Sequence, residues 1–272
     1  MLYLVASPIG NLADISYRAV QVLKLVDYIL CEDTRQTAKL LEKYHVQKKL
    51  YAFHKFNEKS LENSIIKDLK DQKNIALLSD AGTPTISDPG TKLVHLCRQL
   101  QIPLTSLPGP SAVLTALSLS GLEYDRFQFL GFLPKKAKDL LRVLEEMDAY
   151  PGVSVFFESP HRLVATLQHF HQAFPSKILY IARELTKKFE EFLTGTAQDL
   201  LHYFAEYSPK GEFTVLVQGS EKTPNTAENI RQAEALFHLL TEKGGFSKRD
   251  AVQFVSQILG IPKNNLYFLA KE

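Results

Sequence analysis

Between Leu77 and Gly90 the chain reads Leu-Leu-Ser-Asp-Ala-Gly-Thr-Pro-Thr-Ile-Ser-Asp-Pro-Gly. An apolar, strand-like run ends in Asp80 and opens into a loop carrying two glycines, two prolines and several hydroxyls. In an open α/β sheet, ligands bind in the crevice beyond the carboxyl ends of the strands. Glycine lets backbone amides and carbonyls come close to such a ligand. Ser87 or Asp88 capping a helix that begins near Pro89 accounts for part of the segment. It does not account for so much turn chemistry in a loop longer than the usual βα connection. Leu107-Pro-Gly-Pro-Ser-Ala112 is a second strand-to-helix turn, where Ser111 caps the helix and the small Ala112 and Ala116 leave room for a flat group.

Charged residues stand at other strand ends. Glu32-Asp-Thr-Arg35 closes one apolar run and His54 another, so their side chains are directed toward the same crevice. An ion pair between Glu32 and Arg35 on a solvated rim is the competing account. Phe157-Glu-Ser-Pro-His-Arg162 and Ala182-Arg-Glu-Leu-Thr-Lys-Lys188 repeat the theme in the second half. Other chemistries lack their patterns. Neither GxGxxG nor GxxxxGK[ST] occurs, which argues against dinucleotide and Walker-type sites. Ser111 and Ser159 have no GxSxG context. His169 and His171 lie two apart on a helical pattern and diverge, so no metal site is expected there.

The elements that must hold these residues alternate from the start. Strands are expected at 2–6, 28–31, 50–53, 74–79 and 102–107. Helices are expected from 15 (capped by Asp14) to about 26, and at 34–44, 59–71, 91–100 and 111–120. Apolar strands separated by helices imply βαβ units and a parallel sheet covered on both faces. After a strand at 127–133 comes the basic stretch Lys135-Lys-Ala-Lys138. Strands at 153–157, 177–182, 189–193 and 213–217, with helices at 161–173 and 197–206 and short hairpin-like connections, imply a mixed second sheet. The expected domains are therefore 1–122 and 123–220. A linker at 220–225 leads to a small helical tail at 226–272. In that tail Ser247 and Asp250 form a capping box, Gly260 and Pro262 stop the helix, and Asn264 caps a last one.

The chain has 272 residues, 45% hydrophobic and 23% charged, with a formal net charge of +2. That balance argues against a polybasic tail, so any nucleic-acid partner must be drawn by a local patch. Cys31 and Cys97 are the only cysteines and form no CxxC pair, which excludes a thiolate zinc site and points to a reducing compartment. Met1-Leu-Tyr-Leu-Val-Ala-Ser-Pro-Ile-Gly10 has no basic leader and too short an apolar run for a signal peptide. No segment approaches the ~18 apolar residues of a membrane span. A soluble, cytoplasmic protein is the expectation.

Read in order, Ser7-Pro-Ile-Gly-Asn-Leu12, Glu32-Asp-Thr-Arg35, Ser79-Asp-Ala-Gly-Thr-Pro84 and Ser87-Asp-Pro-Gly90 resemble one family. Pro108-Gly-Pro-Ser111, Gly131-Phe-Leu-Pro134, Glu158-Ser-Pro-His-Arg162, Ala182-Arg-Glu-Leu-Thr-Lys187 and Lys210-Gly-Glu212 continue the likeness over nearly the whole chain. The family is the tetrapyrrole-methylase, or class III methyltransferase, superfamily, in its 16S ribosomal RNA 2′-O-methyltransferase branch. The resemblance implies two α/β domains with S-adenosylmethionine in the inter-domain cleft, and a homodimer. It also implies methylation of a cytidine 2′-hydroxyl in 16S rRNA within the small ribosomal subunit, with no metal. The Gly-Asp-Pro loop that cradles the cofactor in relatives matches Ser79, Asp80 and Ala81, with Ser79 and Ala81 replacing glycine and proline. Thr83 matches the next contact, Ser111 and Ala112 a pair lining the adenosine side, and Pro8 the first strand-end turn. Glu158 (or Phe157), Leu185 and Gly211 match positions that close over the adenosyl group.

Porphyrin and corrin methylases carry a glycine-rich first turn. Ser7-Pro-Ile-Gly-Asn11 replaces it here, which favours the RNA branch over a small tetrapyrrole precursor. A non-catalytic ribosome-assembly module is the alternative from another class. Methyl transfer from a sulfonium is an in-line displacement that depends on holding the reactants aligned. A ribose hydroxyl also needs a base, or a cation for the developing alkoxide. The candidates are Glu32, Asp33, Arg35, His54, Arg183, Glu184 and Lys187. Arg183 and Lys187 are assigned to phosphate or oxyanion, and Glu32 or Glu184 to the base. An inter-domain salt bridge would use the same residues. RNA contact is expected from Lys135, Lys136, Lys138, Lys187 and Lys188. Lys248 and Arg249 stand on a tail that reads first as a small bundle packing on the body or on a second subunit, with RNA contact as its alternative.

Overall fold

In a computed structural model, residues 1–220, 227–259, 261, 263 and 266–270 are described. Residues Met1–Gly219 form one compact unit and Ser220–Glu272 a second.

Five short parallel strands make the first sheet: β1 (Leu2–Val5), β2 (Tyr28–Cys31), β3 (Lys49–Ala52), β4 (Ile75–Leu78) and β5 (Leu104–Leu107). Their order is β3-β2-β4-β1-β5. Burial follows that order. All four residues of β2 and of β4 are buried, while the edge strands β3 and β5 carry exposed polar residues. Alternate residues feed two cores, as a strand's period of two requires. Val5, Ile29, Ala76 and Leu78 pack with helices α1 (Tyr17–Leu25) and α2 (Thr34–Lys43). Leu4, Leu30, Ile75 and Leu77 pack with α3 (Glu58–Lys70) and α4 (Thr91–Gln99).

The chain leaves β1 toward β2 and leaves β4 toward β5, in opposite directions along the sheet. A topological switch point therefore lies at the carboxyl ends of neighbouring β1 and β4, where a crevice opens. Backbone bonds close its floor: Ser7 N–H donates to the Gly82 carbonyl at 2.9 Å and Gly82 N–H to the Ser7 carbonyl at 3.0 Å.

The second sheet has the order β6-β7-β10-β8-β9. Its strands are β6 (Phe127–Phe132), β7 (Val153–Glu158), β8 (Ile178–Arg183), β9 (Glu191–Thr196) and β10 (Phe213–Gln218). Only β6 and β7 are parallel, so the sheet is mixed. Helices α6 (Ala137–Ala149), α7 (Pro160–Ala173) and α8 (Ala197–Glu206) cover one face through Leu144, Met147, Leu167, Phe170 and Phe204. The other face is covered from the first half of the chain. Ile9 and, on α5 (Ala112–Ser120), Val113, Ala116 and Leu117 join Val153, Val155, Ala182 and Leu216 in one core.

Several details depart from the sequence reading. Asp14 caps no helix: Asn11 caps a 3-10 turn at Leu12–Asp14, and Ser16 caps α1 through the Ala19 amide. The short polar side chain nearest the first free amide takes the cap. Neither Ser87 nor Asp88 caps α4. Gly90, with φ of 116°, precedes it instead. Helix α6 has no clear sequence signal, because the lysines that open it mask an apolar stripe of Leu140, Leu144 and Met147. The β8–β9 hairpin turns through seven residues, 184–190, and β9 starts at Glu191 instead of near 189.

The second unit contains α9 (Ala227–His238), a π turn at Leu239–Lys243, α10 (Lys248–Leu259) and a 3-10 turn at Tyr267–Ala270. Phe237, Val252, Val255, Ile261 and Leu269 form its core. Ser247 accepts from the Asp250 amide at 3.2 Å and donates to its carboxylate at 2.6 Å. The stop at Gly260 and Pro262, the cap at Asn264, and the 220–225 linker beyond Ser220 lie outside the described residues. Among the described residues no helix is long and apolar enough to cross a membrane.

Candidate functional site

A cavity of about 800 Å³ opens between the two sheets. The first sheet contributes the loop from Ala81 to Asp88 and the turn from Ser106 to Leu114, the segments that follow β4 and β5. The second contributes Phe132, the end of β7 through Pro160, Ala182 and Leu185 after β8, and the start of β10 from Gly211 to Thr214. Antiparallel β10 begins where β7 and β8 end, so all three present one edge. Phe157 meets Phe129 and Phe132 edge-on, with centroids 4.9 and 5.8 Å apart. The walls are thus largely apolar, with hydroxyls at Thr83 and Ser111 and a carboxylate at Asp88. Gly109 is needed for the close fit of the β5 turn, since a Cβ there would lie 2.7 Å from that of Ala6.

Of the residues proposed for a cofactor, Ala81, Thr83, Ser111, Ala112, Glu158, Leu185 and Gly211 line this cavity. Pro8, Ser79 and Asp80 are not among its lining residues. Ser79 is buried and its hydroxyl donates to the Gly82 carbonyl at 2.6 Å, fixing the loop. Asp80 Oδ1 accepts from the Asp33 amide at 3.0 Å, tying the end of β4 to the end of β2. The Glu158 carboxylate is committed to the start of α7. It accepts from the Ser159 amide at 2.8 Å and the Thr166 hydroxyl at 2.7 Å, with Arg162 at 3.7 Å.

The five residues proposed for chemistry, Glu32, Arg35, Arg183, Glu184 and Lys187, are all outside the cavity lining. Glu32 is exposed at the end of β2. Arg35 is exposed and pairs with Asp33 at 3.1 Å, which holds the Asp33 carboxyl below its ordinary range. Arg183 is engaged on three sides. Its Nε donates to the Lys210 carbonyl at 2.8 Å, Nη1 contacts Glu191 at 3.1 Å, and the guanidinium lies 5.9 Å from the Phe213 ring centre. Lys187 joins Glu184 at 2.8 Å and Glu212 at 2.9 Å. Burial opposes ionisation of Glu184, yet the bonds from Lys187 and the Glu212 amide prevail and hold its carboxyl below the usual range. His54 keeps a buried Nδ1 without a hydrogen-bond partner and is not part of the lining.

One titratable group in the cavity reads from the sequence only as a helix cap. Asp88 is partly exposed and lines the cavity. Burial pushes its carboxyl up to about 6, with Glu32 and Asp80 adding to the push. Its signal in the sequence was its place in the same turn-rich loop as Asp80. Among the described residues no cluster of three or more histidine, cysteine, aspartate or glutamate side chains is placed to hold a metal.

The profile of the family Tetrapyrrole (Corrin/Porphyrin) Methylases matches residues 1–201. Proteins named ribosomal RNA small subunit methyltransferase I align along the chain. The one from Halalkalibacterium halodurans is 40% identical over 270 residues, covering 98% of this chain and 93% of its own. That from Escherichia coli O157:H7 is 40% identical over 274 residues, covering 100% and 94%. Solved structures share the fold at low identity. A Thermus thermophilus uroporphyrin-III C-methyltransferase complexed with S-adenosylhomocysteine has a TM-score of 0.58 at 14% identity, over 80% of this chain and 96% of that one. A diphthine synthase has a TM-score of 0.62 at 12% identity, over 80% and 89%.

Proposed function

The chain belongs to the tetrapyrrole methylase family, in the group of ribosomal RNA small subunit methyltransferases I, and from that premise we propose its reaction. It moves the methyl group of S-adenosylmethionine to a cytidine 2′-hydroxyl of 16S rRNA. The observation that carries this reading is 40% identity sustained from end to end with relatives of that name.

The cavity suits the cofactor chemically. Flat apolar walls accept an adenine, and Thr83 and Ser111 offer hydroxyls to a ribose. In this reading Thr83, Ala81, Ser111 and Ala112 hold one side, and Leu185 and Gly211 close the other. Ser79 and Asp80 set the loop through their bonds to the Gly82 carbonyl and the Asp33 amide, Pro8 belongs to the turn after β1, and Glu158 anchors α7. Bound there, the cofactor supplies an electrophilic methyl group. The chain's residues align the acceptor hydroxyl with it and exclude water. Glu184, Lys187 and Arg183, being ion-paired, keep the hairpin loop in shape instead of touching reactants. Glu32 and Arg35 are exposed and outside the cavity lining. A homodimer acting on the small ribosomal subunit in the cytoplasm completes the reading.

The test is incubation of purified protein and labelled cofactor with small subunits and with naked rRNA, followed by nucleoside mass spectrometry. A 2′-O-methylcytidine is expected. Label in a tetrapyrrole precursor alone, or no transfer to any acceptor, would overturn the reading.

A further inference from the structure

Most carboxylates at the rim between the sheets are already partnered. Asp33 holds Arg35, and Asp80 holds the Asp33 amide. Glu158 is bound by Ser159, Thr166 and Arg162, and Glu184 and Glu212 share Lys187. Asp88 differs. Among the described residues its carboxylate has no hydrogen bond and no ion pair, and it lines the cavity. Glu32 is also unpaired, but it is exposed and outside the cavity lining.

Resting on the methyltransferase reading above, we propose that Asp88 is the general base that takes the proton of the acceptor hydroxyl. In the step, a lone pair of the 2′-oxygen forms the new O–CH₃ bond as the S–CH₃ bond breaks. That electron pair stays on sulfur, leaving a neutral thioether, and the hydroxyl proton moves to an Asp88 oxygen. Charge balances: a carboxylate and a sulfonium become a carboxylic acid and a thioether.

Three features fit Asp88 for the task. An unpartnered carboxylate has its lone pairs free for an incoming hydroxyl, whereas Glu158 or Glu184 would have to break existing bonds first. The turn that carries it is fixed. Thr85 and Ser87 have φ of 71° and 69°, in the left-handed region that such residues occupy only when surroundings enforce it. Pro89 follows directly and keeps Asp88 out of helical geometry. The proton affinity is matched to neutral pH. The groups facing Asp88 are Glu32 from the end of β2 and Asp80 from the end of β4, both carboxylates, and burial acts in the same sense. A carboxyl so raised is ionised at pH 7.5 yet a better proton acceptor than an ordinary aspartate.

The test compares Asp88→Asn with the wild-type protein, using small subunits and labelled cofactor. Cofactor affinity is measured separately by equilibrium dialysis without RNA. The expected result is a single-turnover rate at saturating substrates lower by ~10²–10⁴-fold, the range for a lost general base. Cofactor affinity should stay within about twofold of wild type, given that asparagine preserves shape. The wild-type rate should rise about tenfold per pH unit up to an inflection near 6, and Asp88→Asn should lack that inflection. An unchanged rate overturns the proposal. So does an affinity loss with a preserved saturated rate, which would make Asp88 a cofactor ligand. If Asp88→Asn fails to fold, the wild-type profile decides, and a flat rate between pH 5 and 8 overturns it. A wild-type protein that methylates no rRNA sinks the methyltransferase reading and this proposal together. Active wild type with an equally active Asp88→Asn sinks this proposal alone.

Discussion

The Asn11 amide donates to Thr186 Oγ1 at 2.9 Å, and this bond ties the turn after β1 to the hairpin loop after β8. One sheet is thereby fastened to the other beside the cavity. The fit is close: a Cβ on Gly10 would lie 2.5 Å from Lys187 Cγ and 2.8 Å from the Leu185 carbonyl. Glu184 and Thr186 have φ of 51° and 63°, so the loop is held in a backbone shape it would not choose alone. Gly10→Ala should therefore destabilise the protein by roughly 1–3 kcal/mol, as overpacking does. It should also weaken cofactor binding, because Leu185 on that loop lines the cavity. Thermal unfolding and equilibrium dialysis check both effects. A variant that melts and binds like wild type would show that the fastening does not set the cleft.

Arg183 follows from the same geometry. Its guanidinium bonds the Lys210 carbonyl and Glu191, and Glu191 in turn accepts from the Tyr203 hydroxyl, which holds that phenol above its ordinary range. Arg183→Ala leaves Glu191 Oε2 and the Lys210 carbonyl without this donor, while Tyr203 still serves Oε1. The expected cost is roughly 1–3 kcal/mol of stability, with the single-turnover rate at saturation near wild type. Normal melting with a selectively reduced rate would place Arg183 in the chemistry instead.

How much of this was legible in the sequence differs by element. β2 and α8 could be read residue for residue, since uninterrupted apolar runs and the Thr196–Asp199 capping box are local signals. The crevice loops could be read as well, because turn chemistry is local. The partners of charged residues could not. Whether Arg183 meets a substrate or Glu191 depends on β8 pairing with β9, a contact set by the register of the hairpin. Likewise Asp80 reaches the Asp33 amide because β2 and β4 are neighbours, although 47 residues separate them. Asp88 resembled a helix cap because Ser-Asp before a helix usually is one. Only the positive φ of Ser87 and Gly90 directs the chain elsewhere.

The raised Asp88 carboxyl has a stability consequence with a definite sign. A carboxyl held above its unfolded-state value, near ~4, binds its proton more tightly in the folded protein. The associated stability is fully present below pH ~4 and is lost as pH rises through about 6. Asp88→Asn removes that loss. The variant should melt above wild type at pH 7.5, by on the order of 1 kcal/mol once solvent screening is allowed for. The difference should shrink toward zero near pH 4. Equal melting at both pH values would mean that Asp88 is not raised.

Lys135, Lys136 and Lys138 are all exposed, and Lys136 occupies the position that caps α6 without any side-chain cap bond. Three cations at a helix amino terminus oppose the macrodipole, with only Asp139 in the first turn to offset them. Such an arrangement costs the helix stability, and a phosphate backbone docked there would offset that cost. Each phosphate neutralised on a single strand adds ~0.7 to the slope of log affinity against log salt. Replacing all three lysines with alanine should then weaken RNA binding and flatten that slope by about 2, with melting unchanged or slightly raised. The cluster is absent from the cavity lining. Hence the single-turnover rate at saturating RNA and cofactor should stay near wild type. Binding titrations at several salt concentrations, paired with single-turnover assays, separate the outcomes. A triple variant with unchanged salt dependence would remove this surface from the RNA path. One that loses rate at full occupancy would bring it into the active site.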